Sequence, residues 1–359
     1  MSRLLQKKYD VSSEVSLPVI DWQAIGATAP ALLPLTAGQL PQADVALITW
    51  TSAEWSALDH VFLNSNTERK PDEDAWRDAW KPWSANRGDD PVFYYQLVGI
   101  TSDRTGAFTR VLLVKSEVHL AHYPYITGVE QMVETLITET GVETVISTGT
   151  AGGSSVSQPL GDVLLTTRAH INLEKPENIE HCTYNNQTIT GFDFFSDTPL
   201  YSSVQEKLMM PLSHVWNDAA ISKSIEELNK RCSTAYTQKD LINEPLQPQA
   251  VKTNRIDFCP TQPLLTTDYY FISQGKIFDE YCFLEMDDAV IAYQCSTKRV
   301  GFGFIRNVSD PIVTEQDASG KAIPEDVRED WSGIVYSLCG FYTSFNSALT
   351  CCSAIRANV

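Results

Sequence analysis

Positive charge is scarce in this chain of 359 residues. Lysine and arginine number 27 against 45 aspartate and glutamate residues, which gives a formal net charge of -18. Nucleic acids and anionic membranes are bound through basic surfaces, so this balance argues against both as partners. A nucleotide needs only a few local cations, and a small anionic ligand therefore stays compatible with the chain.

Long apolar runs and paired cysteines are also missing. No run approaches transmembrane length, and the first residues, MSRLLQKKYD, lack the apolar stretch of a signal peptide. The 8 cysteines show neither CxxC spacing nor a paired framework. A reducing cytoplasm is therefore the expected location, without membrane association.

Metal-ligand clusters are equally absent from the sequence. His119 and His122 form an HLAH pair, but no carboxylate or cysteine cluster follows at ligand spacing. The pair is therefore interpreted as structural or pocket histidines. We expect no metal and no other cofactor.

Two acidic sites stand out near the C-terminus, at Glu285-Met286-Asp287 and at Ser309-Asp310. Residues 286–294 (MDDAVIAYQ) have apolar residues at helical spacing, and residues 300–308 (VGFGFIRNV) are β-branched and aromatic like a buried strand. Acids at strand ends in an α/β sheet lie where such folds bind ligands. The alternative is that they only cap helices.

Two further segments also place residues able to contact a ligand directly after a predicted strand. Residues 142–153 (VETVISTGTAGG) predict a buried strand that runs into a loop of small residues, followed by a strand from residue 161 (GDVLLTT). Glycines in such a loop let backbone N–H groups approach a ligand. Residues 43–50 (ADVALITW) predict an early strand, and Glu54 lies in the first turn of the helix after it, where the helix dipole stabilises a carboxylate.

In this order the motifs resemble the purine nucleoside phosphorylase and nucleosidase superfamily, in particular its methylthioadenosine/S-adenosylhomocysteine nucleosidase branch. That branch has an early Glu after the first strand, a TG[ST]AGG loop, an EME and an RxxSD. The resemblance runs from about residue 43 to the C-terminus, with interruptions. It implies an α/β fold, a three-layer sandwich with a mixed central sheet like that of nucleoside phosphorylases.

The resemblance also implies roles for individual residues. Glu54 would orient or activate the attacking water, and Asp310 would protonate purine N7. Asp287 takes the place of the Glu that grips the ribose 2′ and 3′ hydroxyls. The remaining substrate-binding positions are Glu285 and Met286 beside the sugar, Thr150, Ala151 and Gly152 against the nucleoside, Arg306 and Ser309 flanking the acid, and Tyr270 or Phe271 stacking on the base.

Cleavage of a purine N-glycosidic bond explains why two carboxylates are needed. Positive charge develops on the ribose and negative charge on the leaving base, so one acid must donate a proton while the other stays ionised. The donor needs a raised pKa, which burial of Asp310 beside Val308 and Pro311 could provide.

The sequence departs from the family pattern in three places. Asp287 is one methylene shorter than the usual Glu, and Thr49-Trp50-Thr51 replaces a Gly-rich turn. No clear counterpart of the phosphorylases' phosphate-binding arginines is present; the nearest candidates are Arg110 and Lys115. This favours water over phosphate as the nucleophile.

Three segments lie outside the compact pattern: an N-terminal arm (1–42) and, within a domain at 43–359, insertions at about 65–91 and 171–262. In the first insertion, tryptophans at i, i+4 and i+7 predict an aromatic stripe on a short helix, either docked on the core or serving as a lid or subunit contact. The second predicts a helix at 222–232, and residues 325–355 predict the last helix. The cations of the second insertion are interpreted either as solvated surface charges or as a site for a substrate 5′-phosphate: Lys223, Lys230, Arg231, Lys239, Lys252 and Arg255.

The sequence therefore predicts an N-glycosidase that hydrolyses a purine nucleoside or nucleotide, with adenine favoured as the base and AMP or ATP as possible substrates. Phosphorolysis and a non-catalytic nucleotide-binding module remain alternatives. The expected partner is the small-molecule purine substrate, in a homo-oligomer. Similar domains act as nucleotide-depleting antiviral effectors, so the resemblance allows that role too.

Overall fold

The computed structural model describes residues 9–36, 38–71, 73–86, 89–102, 105–196, 199–248, 254–269 and 278–358. Their strands join in one mixed sheet: β1 (Ala31–Leu32), β2 (Val45–Thr49), β3 (Lys81–Trp83), β4 (Phe93–Thr101), β5 (Phe108–Ser116), β6 (Thr144–Gly152), β7 (Val163–Thr166), β8 (Arg168–Asn172), β9 (Thr188–Thr190), β10 (Ile256–Phe258), β11 (Leu264–Thr267), β12 (Leu284–Glu285) and β13 (Gly301–Asp310).

The α-helices within the same ranges are α1 (Ser52–Phe62), α2 (Tyr125–Thr140), α3 (Pro176–Ile179), α4 (Pro199–Lys207), α5 (Asp218–Cys232), α6 (Gln238–Leu241), α7 (Asp288–Lys298) and α8 (Glu325–Asn358). Short 3₁₀ turns lie at Trp22–Ile25, Ala75–Ala79, Leu212–His214 and Glu244–Leu246. None of the helices in the described ranges combines the length and apolar character that a membrane span requires.

The centre of the sheet is parallel. β2 pairs in parallel with β5 and with β6, and β6 pairs in parallel with β13. β4 and β7 run antiparallel to β5 and β13 respectively. Because β2, β6 and β13 run the same way, their carboxyl ends meet at one edge of the sheet.

Helices cover both faces of this sheet. α1 and α8 pack together on one face, where α8 also contacts β6 and β13, while α2 and α7 pack together on the opposite face. β2 is buried on both faces, with Val45 and Leu47 in the core beside α8 and Ala46 and Ile48 in the core beside α2. The predicted three-layer α/β fold with a mixed sheet is confirmed.

The segment that precedes β2 lies against the body of the protein. Leu17 forms a bridge with Arg69, and Val11, Ile20 and Trp22 are buried in the core beside α8. Within the longer insertion, α4 and α5 pack on α8 as well. This long helix therefore contacts elements from both halves of the chain.

The prediction of one aromatic stripe on a short helix is wrong. Only Ala75–Ala79 is helical, as a 3₁₀ turn, and Trp83 lies in β3. A proline between the last two tryptophans disfavours helix for the residue before it. Trp76 and Trp80 instead pack edge-on against Trp55, at ring-centroid distances of 5.0 and 5.4 Å, so the insertion docks on the body of the protein.

Candidate active site

Glu54 lies in the first turn of α1, shortly after β2, and hydrogen-bond donors surround its carboxylate. Oε2 accepts from the amides of Trp50 and Thr51 at 2.8 and 2.9 Å and from the Thr49 hydroxyl at 3.1 Å. The Thr51 hydroxyl accepts in return from the Glu54 amide, which completes a capping box. Oε1 accepts from the amide and hydroxyl of Thr150 at 2.8 and 2.6 Å. The carboxylate thus joins the carboxyl ends of β2 and β6.

Gly149 makes this approach possible. Its φ of +150° is rare for residues with a side chain, and a Cβ at this position would lie 2.5 Å from the carboxyl carbon of Glu54. Any side chain there would displace the carboxylate. The glycine that the sequence places in the small-residue loop therefore admits Glu54 against the backbone of β6.

Asp310 ends β13, next to Gly152 of β6. Its carboxyl group accepts from the Ser309 hydroxyl at 2.7 Å and from the Ser332 hydroxyl of α8 at 2.9 Å. A β-bulge between Val308 and Asp310 interrupts the register with β6. Val308 packs in the core beside α7, so without the bulge the alternation of side chains would point Asp310 to that face too. The bulge turns Asp310 towards α8.

Tyr336 of α8 contacts the turn that holds Glu54. Its hydroxyl donates to Oγ1 of Thr51 at 3.2 Å. Burial raises the pKa of the phenol, and the negative charges of Glu54 and Asp310 raise it further. Because Ser332 and Tyr336 are four residues apart, they share one face of the helix. α8 therefore contributes one hydroxyl beside each acid.

The Arg306 side chain projects from β13 onto the face of the sheet that α7 covers. Its Nε donates to Asp288 at 2.9 Å, and Nη2 donates to the same carboxylate and to the Ser147 hydroxyl at 3.0 Å. Nη1 donates to the carbonyl of Thr150 at 3.3 Å. Arg306 thus ties α7 to the loop that holds Glu54, on the side of the sheet away from Ser332.

Glu285 caps the start of α7. One oxygen accepts from the Thr266 hydroxyl, and the other accepts from the amides of Asp287 and Asp288 at 2.6 and 2.9 Å and lies 3.6 Å from Arg306 Nη2. Burial and the charge of Asp288 raise the pKa of Glu285 to about 8. Its side chain is 2% exposed, so the protein encloses it.

Asp287 is held by the loop after β5. Oδ1 accepts from the amide of Leu120 at 2.9 Å, and Oδ2 lies 3.0 Å from Nε2 of His119. Nδ1 of His119 accepts from the amide of Ala121 at 3.0 Å, so Nε2 carries the proton and donates to Asp287. Trp50 meets the His119 ring edge-on, with ring centroids 6.2 Å apart.

Burial shifts the pKa of Asp287 and that of His119 in opposite directions. Burial raises the pKa of Asp287 well above its usual range, and the neighbouring Glu285 raises it further. Burial lowers the pKa of His119 to about 4; Glu54 opposes this shift, while the charges of Arg306 and Lys175 add to it. His119 is therefore neutral at pH 7.

The remaining predicted positions follow the same edge of the sheet. Ala151 and Gly152 are buried at the end of β6, and Ser309 is buried beside Asp310. Met286 is half-buried before α7. The two candidates for the base-stacking aromatic, Tyr270 and Phe271, lie outside the described residues.

Two of the cations predicted to bind a 5′-phosphate pair with acids outside the candidate site. Arg255 pairs with Asp162 and Asp257, and Arg231 lies 3.8 Å from Glu227. The predicted 5′-phosphate cations Lys223, Lys230 and Lys239 are exposed on α5 and α6. Lys252 lies outside the described residues.

The His119 and His122 rings lie 5.7 Å apart. Within the described ranges, no group of three histidine, cysteine, aspartate or glutamate side chains is placed to hold a metal ion. The polar partner of His119 is Asp287, as above, which makes this histidine a member of the site.

Several side chains at this edge were not assigned from the sequence. Thr51 was detectable, since T-x-x-E before an apolar helix is a capping-box pattern. Ser332 and Tyr336 carry only a weak signal, a polar pair at i and i+4 in an otherwise apolar helix. The HLAH pair draws attention to His119 but not to its partner Asp287, and nothing local distinguishes Ser147, because its partners are distant in the sequence.

Tyr336→Phe is expected to lower kcat about tenfold with little change in KM, because it removes the hydroxyl beside Glu54 and Asp310. The matched control is Tyr342→Phe on the same helix, which removes a hydroxyl that donates to the Val15 carbonyl at 2.6 Å. Each change should destabilise the protein by about 1 kcal/mol. Equal turnover in the two variants, at equal melting temperature, would make Tyr336 merely structural.

No protein-family model matches the chain, and a search of curated proteins finds no match. Among solved structures, 5′-methylthioadenosine/S-adenosylhomocysteine nucleosidase from Helicobacter pylori matches with a TM-score of 0.47 at 10% identity, over 88% of this chain and 98% of that chain. The enzyme of the same name from Neisseria meningitidis matches with 0.45 at 16% identity, over 87% and 98%.

Futalosine hydrolase of Helicobacter pylori matches with a TM-score of 0.43 at 10% identity, over 85% of this chain and 96% of that chain. Over most of its length, the structure is thus similar to methylthioadenosine/S-adenosylhomocysteine nucleosidases, the branch that the sequence motifs resemble.

Proposed function

We propose that the protein hydrolyses the N-glycosidic bond of a purine nucleoside or nucleotide and releases the free base. Asp310 is the acid that protonates the base, and Glu54 positions the attacking water. The observation that carries the proposal is the pairing of these two acids at one sheet edge in unlike surroundings.

The donors around each acid differ in kind. Glu54 accepts from three backbone amides, and an amide N–H can only donate. The Ser309 and Ser332 hydroxyls beside Asp310 donate to it, and on rotation each can instead accept a hydrogen bond from the protonated acid. Asp310 can therefore carry and donate a proton without losing these partners, whereas each amide contact of Glu54 requires the side chain to accept.

The positions of the two acids also determine the orientation in which the substrate would bind. An attacking water and a leaving base lie on opposite sides of the anomeric carbon, so the sugar lies between Glu54 and the base. Asp310 faces α8, which puts the base on that side. The sugar then lies towards α7, where Asp287 and His119 lie.

Rotation of a hydroxyl makes room for the water. Thr150 donates to Oε1 of Glu54 through both its amide and its hydroxyl. If the hydroxyl turns to the substrate, one lone pair of Oε1 becomes free for a water molecule while the amide still holds the carboxylate. A general base needs this geometry before it needs a suitable pKa.

The cations near the sheet favour water over phosphate as the nucleophile. Arg110 pairs with Asp44 at the far end of β2, and Lys115 pairs with Glu117. Arg306 is already bound to Asp288. Each of these charges has an acidic partner, which supports hydrolysis.

A panel of adenosine, methylthioadenosine, AMP and ATP, incubated with and without phosphate, tests the proposal. Release of free base and free ribose product without phosphate is the expected result. Formation of ribose 1-phosphate that requires phosphate would show phosphorolysis instead. Tight binding with no base released from any member would indicate a binding module.

A 5′-phosphorylated substrate is the finer part of the proposal, and Lys175 supports it. This half-buried residue of the longer insertion directly precedes α3, whose Asn178 donates to the carbonyl of Leu120 at 3.0 Å, so its cation lies on the segment beside the His119 loop. Preference for AMP or ATP would make the protein a nucleotide-depleting enzyme. That is the chemistry an antiviral effector of this kind would use.

Lys175→Met is expected to lower kcat/KM for the preferred nucleotide by about 10- to 150-fold, the loss of one charge-assisted contact of about 1.5–3 kcal/mol. Adenosine turnover should change little. Lys298→Met, which removes an exposed pair with Glu134, is the control. A wild-type preference for adenosine or methylthioadenosine over both nucleotides would contradict the phosphate assignment.

A further inference from the structure

Neither acid on the sugar side of the site is presented to the substrate. Glu285 is enclosed by Thr266, the first amides of α7 and Arg306. Asp287 has a side chain that is only 3% exposed, while that of its partner His119 is 24% exposed. A ligand that enters from the open side therefore meets the His119 ring before it meets the carboxylate.

The His119 ring has little to offer a sugar hydroxyl. Nε2 donates to Asp287, and Nδ1 accepts from the amide of Ala121. Both ring nitrogens are thus occupied, and the ring is oriented by contacts on two sides and by the edge of Trp50. Only the face of the uncharged imidazole ring is then left to contact a sugar.

On the basis of the proposed hydrolysis, we infer that His119 shields Asp287 from the sugar, so that the enzyme accepts 2′-deoxyribosyl purines as readily as ribosyl purines. A hydroxyl bound to a buried carboxylate would distinguish the two sugars by about 10- to 150-fold. Without that contact, the two values of kcat/KM differ by less than about threefold.

The shield also predicts what its removal does. His119→Ala uncovers Asp287, and the preference for the ribosyl substrate rises at least about tenfold. His119→Phe keeps an aromatic ring over the carboxylate, so it leaves the ratio near one. In the double variant His119→Ala with Asp287→Asn, the gained preference is lost, because the uncovered group no longer carries a carboxylate.

The experiment uses matched pairs: adenosine with 2′-deoxyadenosine, AMP with dAMP, and ATP with dATP. Base release is measured for the pair that turns over fastest, and binding of each member is measured by calorimetry. Thermal melting of each variant identifies loss of folding. A wild-type preference above about tenfold overturns the inference by itself, and a ratio near one is attributed to His119 only if His119→Ala raises it.

The outcomes separate this inference from the proposed function. Base release with a ribose preference above about tenfold in the wild type would uphold hydrolysis and overturn the shield. An unchanged ratio in folded His119→Ala would overturn it as well. Equal binding of both members of a pair without base release supports the shield and contradicts hydrolysis, whereas binding of no member overturns both.

Discussion

Asp310→Asn is expected to reduce kcat by about 10²- to 10⁴-fold with substrate binding largely kept. An amide has the shape of the carboxyl group but cannot give a proton to the leaving base. Ser309 and Ser332 can still hydrogen-bond to it, since hydroxyls both donate and accept. The fold should therefore survive, and the loss should appear in turnover.

The measurement is single-turnover base release alongside calorimetric binding of the same substrate. Asp317→Asn serves as the control, since this carboxylate accepts from Ser319 and Lys321 in a surface turn and should leave turnover unchanged. A folded Asp310→Asn protein that keeps near-wild-type kcat would remove Asp310 as the acid and with it the proposed mechanism.

The elements around the site were largely predictable because their signals are local. The apolar run before Glu54, the strand that ends in small residues and the strand before Asp310 all appear close to the predicted bounds. Parallel strands place their carboxyl ends together, so three distant acids could be expected at one edge. The aromatic stripe failed because helical spacing alone does not specify a helix when a proline interrupts it.

The direction in which each acid points was not predictable. The bulge before Asp310 turns the carboxyl group from the α7 side to the α8 side, and a bulge depends on pairing with β6 rather than on the residues of one strand. The shielding of Asp287 likewise depends on a loop about 170 residues earlier in the chain, whose amide at Leu120 fixes the carboxylate.

Glu54→Gln is expected to lower both turnover and stability. The three backbone amides that donate to Glu54 cannot accept a hydrogen bond, and they contact both of its oxygens. The NH₂ group of glutamine must therefore face at least one amide N–H, whichever oxygen it replaces. A buried donor without a partner costs about 1–3 kcal/mol. Because the water also loses its carboxylate, kcat should fall by about 10²- to 10⁴-fold, and the variant should retain intact substrate.

Thr49→Val separates the two effects. It removes one hydroxyl that donates to Oε2 but leaves the carboxylate and its amide donors in place. We expect a loss of stability of about 1 kcal/mol with less than a tenfold fall in kcat. Melting curves and single-turnover rates on both variants give the comparison.

If the two variants lose the same turnover for the same loss of stability, Glu54 is a clamp between β2 and β6 and not the group that positions water. A crystal of Glu54→Gln soaked with substrate that shows base and sugar already separated would lead to the same conclusion, because bond cleavage would then proceed without the carboxylate.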